Sequence, residues 1–167
     1  MKYDIKGKKV LKTTSIFKFI GTMYETKDKL LDMYYWLHKN NTSNKIVVIP
    51  RINDSIVAIK NFSIPLEKYV LSFPSEYLLY DETIDECVIR IVNEHISVDT
   101  EIKKINNISP DLPEYYQSTN TLMNIVDINI NTNSDDIIII NESNKDTFMN
   151  NDEFIIDNML FFELGNL

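Results

Sequence analysis

One amphipathic segment constrains this chain more than any other feature. Thr83-Ile84-Asp85-Glu86 is a T-x-x-E capping box, which satisfies free amides at a helix start from both directions. After it, Ile84, Cys87, Val88, Ile91 and Val92 recur at i, i+3, i+4, i+7 and i+8. That stripe predicts a helix over residues 83–95, near His95 at its end, with one face buried. Everything before it reads as strand, in apolar runs bounded by turn residues near 8–12, 15–23, 32–38, 45–51, 55–62 and 69–73. The 45–51 and 55–62 pair is joined by Asn53-Asp54, a hairpin turn. Strands resume near 101–108, 122–130 and 136–141, and the four isoleucines of the last predict a buried strand. From Asn151 onward, Phe154, Ile155, Met159, Phe162 and Leu164 predict a closing helix over 151–167. Strands on both sides of one central helix imply an α+β domain with a mixed sheet.

At 167 residues the chain has the length of one domain, able to bury roughly 70% of its unfolded surface. We expect a single domain over 1–167, with N-terminal strands over 1–40, a core over 45–142 and the closing helix. No apolar run approaches the ~20 residues of a membrane helix and no signal-peptide pattern opens the chain, so no membrane partner is expected. Cys87 is the only cysteine, which excludes an intrachain disulfide and points to a reducing, cytoplasmic setting. The net charge of −8 argues against broad binding to a phosphate backbone and for protein partners or small ligands. The lysines that do cluster, Lys2 to Lys12 and Lys103-Lys104, are local, and RNA binding would need the N-terminal cluster to form one face. Twenty-five isoleucines and 19 asparagines against one alanine indicate an AT-rich genome, so a residue that resists this bias carries extra weight. The two arginines, Arg51 and Arg90, are such residues.

An ordered series of motifs then becomes informative. Lys45-Ile-Val-Val-Ile-Pro50 is followed by Ile56-Val-Ala-Ile-Lys-Asn-Phe62, Pro65-Leu-Glu-Lys-Tyr69 and Phe73-Pro74, and Ser109-Pro110 lies downstream of the helix. This order resembles the ADP-ribose and ADP-sugar pyrophosphatases of the Nudix hydrolase family, over about nine-tenths of the chain. The resemblance implies a Nudix-type α/β/α sandwich with a mixed sheet. The family's box, G-x5-E-x7-R-E-U-x-E-E-x-G-U with U apolar, runs here from Glu76 to Val98. Glu82 takes the place of its first acid and Arg90 that of its arginine, eight residues later.

The departures concern the chemistry. Active members present three acids at i, i+3 and i+4 of the box helix to hold Mg²⁺ against a diphosphate. Here those positions are Ile91, Glu94 and His95, a single carboxylate. Glu76 and Ser97 replace the opening and closing glycines, and Ser63 replaces an arginine that contacts substrate in the family. The resemblance therefore implies a degenerate Nudix box, with no catalytic residue, no metal site and no cofactor, Mg²⁺ binding being lost. Arg90 and Glu82 are expected to survive as a structural ion pair. Glu94 reads as a solvated helix carboxylate and His95 as a satisfied helix-end side chain. Trp36 stands in the strand where dimeric members stack an adenine, and it is equally readable as a core or dimer aromatic.

The expectation is a pseudoenzyme, a binding or structural factor within a protein or ribonucleoprotein assembly such as the ribosome. The alternative is a residual ADP-ribose or nucleotide-sugar binding protein or hydrolase, with a nucleotide as ligand. A homodimer is expected on family grounds, because these pyrophosphatases exchange N-terminal strands between subunits.

Overall fold

The computed structural model describes residues 4–15, 17–26, 28–39, 44–113 and 121–167. The elements are β1 (Asp4–Thr13), β2 (Phe17–Glu25), β3 (Leu31–Lys39), β4 (Lys45–Ile52), β5 (Ser55–Ser63), β6 (Lys68–Ser72), β7 (Ser75–Tyr77), α1 (Ile84–His95), β8 (Glu101–Ile108), β9 (Leu112–Pro113), β10 (Leu122–Asn131), β11 (Ile137–Ile140), α2 (Lys145–Met149), β12 (Phe154–Ile156) and α3 (Asn158–Leu164). They fall into two compact units, Met1–Asn44 with Asp111–Met123, and Lys45–Pro110 with Asn124–Leu167.

In the first unit β1, β2 and β3 form an antiparallel meander with β2 in the centre. Thr14 shapes the first turn: its N–H donates to the Phe17 carbonyl at 2.8 Å and its hydroxyl oxygen accepts from Phe17 N–H at 3.0 Å. Thr26 shapes the second, accepting from Leu30 N–H, while Lys29 takes a left-handed backbone with φ 59°. Two bulges interrupt β1, between Ile5 and Gly7 and between Val10 and Lys12. Gly21 is required by close approach, since a Cβ there would meet Met33 Sδ at 3.1 Å and Tyr35 Cε1 at 3.5 Å. In the same unit β9 pairs with the first residues of β10, Leu112 with Met123 and Pro113 with Leu122.

The second unit is built on a mixed sheet in the order β12-β6-β5-β4-β10-β8, with β11 beside β5 and β7 beside β4. β12 runs parallel to β6, and the pairs β5/β6, β4/β5, β5/β11, β4/β7 and β8/β10 are antiparallel. Residues 46–50 of β4 are buried without a break, so the strand is covered on both faces. On one face Ile46, Val48, Val57, Val126, Ile128 and Ile130 pack against Cys87, Val88, Ile91, Val92 and Ile96 of the helix. Each such side chain contributes about 1.5–3 kcal/mol by leaving water. The short α3 buries Leu160 and Leu164. The fold class is α+β.

Two expectations change at the C-terminal end. Residues 151–167 do not form one helix: Phe154–Ile156 are drawn into the sheet as a strand parallel to β6, and the helix begins only after Asp157, whose carboxylate caps Met159 N–H at 2.9 Å. The residues buried by this helix are Leu160 and Leu164, and Phe162 lies 68% exposed. The acidic Asn151–Glu153 stretch is thus a turn before a strand. In β11 only Ile140 is fully buried; Ile137 is half-buried against the helix layer and Ile139 is exposed, so the strand is not buried along its length.

Arg51, at the end of β4, ties these parts together. Its Nε donates to Asp127 of β10 at 2.8 Å and its Nη2 to Glu163 of α3 at 3.0 Å, in a partly buried position. Substituting Arg51→Met leaves two carboxylates without their donor. Urea denaturation of that variant should show a loss of ~1.5–3 kcal/mol, whereas Lys68→Met on the exposed end of β6 should leave the midpoint unchanged.

Candidate functional site

The site is organised by α1 and by what meets its last turn. Both halves of the capping box are formed: Thr83 Oγ1 accepts from Glu86 N–H, and the Glu86 carboxylate accepts from Thr83 N–H at 2.9 Å. Two turns into the helix, Arg90 reaches back over this start. Its Nε donates to Glu82 Oε1 at 2.8 Å, and its Nη2 to Glu82 Oε2 at 2.9 Å and to the Tyr77 carbonyl at 3.0 Å. The same Nη2 lies 3.4 Å from Cys87 Sγ. Arg90 therefore fixes the helix to the loop before it and to the end of β7. Its hydrogen bond holds the Glu82 carboxyl down to about 2, and Glu82 in turn raises the guanidinium above its ordinary value. Burial, with the Glu82 charge second, pushes the Cys87 thiol up to about 12.

Of the three helix positions that hold metal in the resembled family, Ile91 is 0% exposed and belongs to the core between helix and sheet. Glu94 is exposed, with Oε2 at 3.7 Å from Arg90 Nη1. His95 ends the helix and its Nε2 lies 3.1 Å from Glu76 Oε1. Glu76 reaches it from β7, whose pairing with β4 sets Glu76 opposite Ile46. One donor atom from each of Glu76, Glu94 and His95 lies within 4.8 Å of the others. A cleft of about 490 Å³ adjoins them, lined by Glu94 and His95 together with Lys60, Asn61, Asp135 and Asp136.

This donor set does not fit the three-carboxylate Mg²⁺ site of the family. Mg²⁺ takes oxygen ligands in near-octahedral geometry, and here the helix supplies one carboxylate while a methyl-bearing side chain occupies the first position. Two carboxylates and an imidazole match Zn²⁺ or Mn²⁺ chemistry more closely. Glu76, read from the sequence only as a lost glycine, is thus a second carboxylate at the site. Asp135, Asp136, Lys60 and Asn61 carried no sequence signal toward the cleft, because it takes the β11 lead-in folding beside β5 to bring them there.

Neither replaced glycine is strained. Among the described residues left-handed backbones occur at Lys29, Asn53, Glu67 and Asp81, so Glu76 and Ser97 stand in ordinary conformations. Ser97 continues the helix end, donating its N–H to the Val92 carbonyl at 3.1 Å. Trp36 belongs to the first unit, where its partners are internal. Its Nε1 donates to Thr22 Oγ1 at 2.9 Å, Lys8 Nζ sits 5.7 Å from the ring centre, and His38 contacts it edge-on.

No protein-family model matches this sequence, and no curated protein matches it. Its structure is similar to one described as the crystal structure of an ADP compounds hydrolase, with a TM-score of 0.76 and 15% sequence identity over 99% of this chain and 91% of that one. At that identity the likeness establishes the fold, a Nudix-like one. Among the described residues no helix is long and apolar enough to cross a membrane.

Three outcomes follow from the Arg90 cluster. Glu82 is held below its ordinary 4.5, so its pairing stabilises the fold fully above that value and ceases to do so as pH falls toward 2. Urea midpoints measured from pH 6 to pH 2.5 should decline, and Glu82→Gln should flatten part of that decline. Arg90→Ala should cost about 1.5–3 kcal/mol, because it takes charge-assisted hydrogen bonds from a partly buried carboxylate. The Cys87 thiol, buried and protonated, should resist a thiol-specific disulfide reagent at pH 8 in the native protein and react at once in urea.

Proposed function

We propose that this chain is a Nudix-fold binding module that does not hydrolyse diphosphates, serving as a binding or structural factor within a larger assembly. The observation that carries the reading is the placement of Ile91. A carboxylate at that position would have to be charged within a fully apolar layer, at a desolvation cost of several kcal/mol. The core has closed over the place where the family's first acid would stand, so its loss is built into the packing. The Glu82–Arg90 pair supports the same reading from the opposite direction. It is kept and fully bonded, and its work is to hold the helix rather than to touch a ligand. A scaffold whose bracing is intact and whose ligand set is reduced serves through its surface.

Incubation with ADP-ribose and Mg²⁺, Mn²⁺ or Zn²⁺ should release no AMP above a protein-free control. Release that is metal-dependent and abolished by Glu94→Gln would overturn this reading. Native gradient sedimentation should place the endogenous protein with a large particle, and a lone small species across the gradient would remove the assembly part.

The cleft beside Glu76, Glu94 and His95 favours a second reading, a retained nucleotide-diphosphate site. Lys60 on its wall offers one cation to a phosphate. Millimolar ADP-ribose should then raise the melting temperature, and Lys60→Ala should cancel the rise.

A further inference from the structure

We propose that the face of the β1–β3 sheet bearing Lys9, Lys12, Phe19 and Tyr35 is a docking surface for a single-stranded polynucleotide. The inference is independent of how the box helix is read, since it uses no residue of that helix or its cleft.

Charge first separates this sheet from the remainder. Residues 1–44 hold nine lysines and four acids, in a chain whose net charge is −8. The acidic balance therefore lies elsewhere, and the objection that bulk charge raises against phosphate binding does not apply to this sheet. Within it, Lys6 is engaged by Asp4 and Glu25 at one end. Among the described residues Lys9 and Lys12 have no carboxylate within ion-pair distance.

Register then shows what those two lysines accompany. Directly paired residues of adjacent antiparallel strands project to the same face. Lys12, Phe19 and Leu37 form one row across the three strands, and Lys9, Gly21 and Tyr35 form the next. Phe19 and Tyr35 stack with centroids 5.8 Å apart and planes 20° from parallel. Phe19 is 36% exposed, Leu37 37% and Tyr35 52%. Gly21 adds no side chain there, and the Tyr35 ring packs over it beside Met33 and Leu11 while staying half exposed. The opposite face is different. There Ile20 and Thr22 are buried and the Trp36 indole N–H is satisfied by Thr22, so that ring takes no part.

A sheet face with exposed, near-parallel rings and, on the neighbouring strand, lysines with no ion pair among the described residues suits one ligand chemistry. Flat bases stack on the rings while the phosphates between them meet the ammonium groups. A duplex hides its base faces and would use the lysines alone. Because few lysines take part, the dependence on salt should be shallow, with about two phosphates neutralised and a slope near −1.5 for a single strand.

The test is fluorescence anisotropy of the full chain with labelled U12 and dT12, from 50 to 200 mM NaCl. Both strands should bind, with that slope, and a 12-base-pair duplex at least about tenfold more weakly. Lys9→Glu with Lys12→Glu should reduce affinity by more than tenfold, and Lys103→Glu with Lys104→Glu on β8 by less than twofold. Tyr35→Ala should weaken U12 binding about tenfold and leave binding of long-chain polyphosphate unchanged, while Tyr35→Phe, which keeps the ring, should restore U12 binding. Circular dichroism and melting temperature confirm folding of each variant, all of which alter exposed side chains. The proposal fails if U12 does not bind at 50 mM salt, or if the duplex binds equally. It fails if Tyr35→Ala weakens polyphosphate and U12 alike, which would mean a bare anion patch. It also fails if the face is instead used for anionic phosphatidylserine vesicles without U12 binding, or for self-association detected by light scattering and abolished by Lys9→Glu with Lys12→Glu.

Discussion

The guanidinium of Arg90 spans three pieces of chain that would otherwise be joined only through a loop. It holds Glu82 in the loop before α1, the Tyr77 carbonyl at the end of β7, and, through its own backbone, the middle of the helix. Glu76 is one residue from Tyr77, and His95 lies just over one turn beyond Arg90. The contact between Glu76 and His95 therefore depends on the same brace that spaces β7 from the helix. Two of those bonds are charge-assisted and share one planar donor with one carboxylate, a geometry lysine could not reproduce. In a chain so biased toward lysine, arginine at this place has a physical reason.

The brace secures the helix without any bound ligand. Three carboxylates on one helix face repel one another and are useful only when a cation neutralises them. At position 91 isoleucine brings no charge to that face and adds a side chain to the layer formed by Val48, Val57 and Ile128. His95, further along the helix, is partnered by Glu76 rather than left in solvent. The helix is anchored by interactions among the protein's own residues.

The distribution of charge carries a separate lesson. A single net value describes neither part of this chain. Glu94, Asp135 and Asp136 line the cleft with Glu76 beside it, while four lysines lie along β1. A surface for an anion and a surface for a cation can coexist in one acidic protein because screening in salt confines each field to about 10 Å.

Much of the architecture was legible in the sequence because it rests on local interactions. The span and cap of α1 follow from a four-residue box and a 3.6-residue period, and the Asn53 turn from a residue that tolerates a left-handed backbone. The partnership of Glu82 with Arg90 was readable only through the family resemblance, which sets an acid and an arginine at those two positions. The C-terminal segment was misread for the opposite reason. Phe154, Ile155 and Ile156 are compatible with either period, and only the exposed edge of β6, some eighty residues earlier, makes them a strand. Residue order thus determined which segments are helical, which are extended, and that the box could offer a single helix carboxylate. Tertiary structure alone decided that Glu76 would stand beside His95, that Arg51 would bind Asp127 and Glu163, and that Phe19 would meet Tyr35 on an open face. Such contacts join residues far apart in the chain, and their formation depends on the sheet order, which no local period encodes.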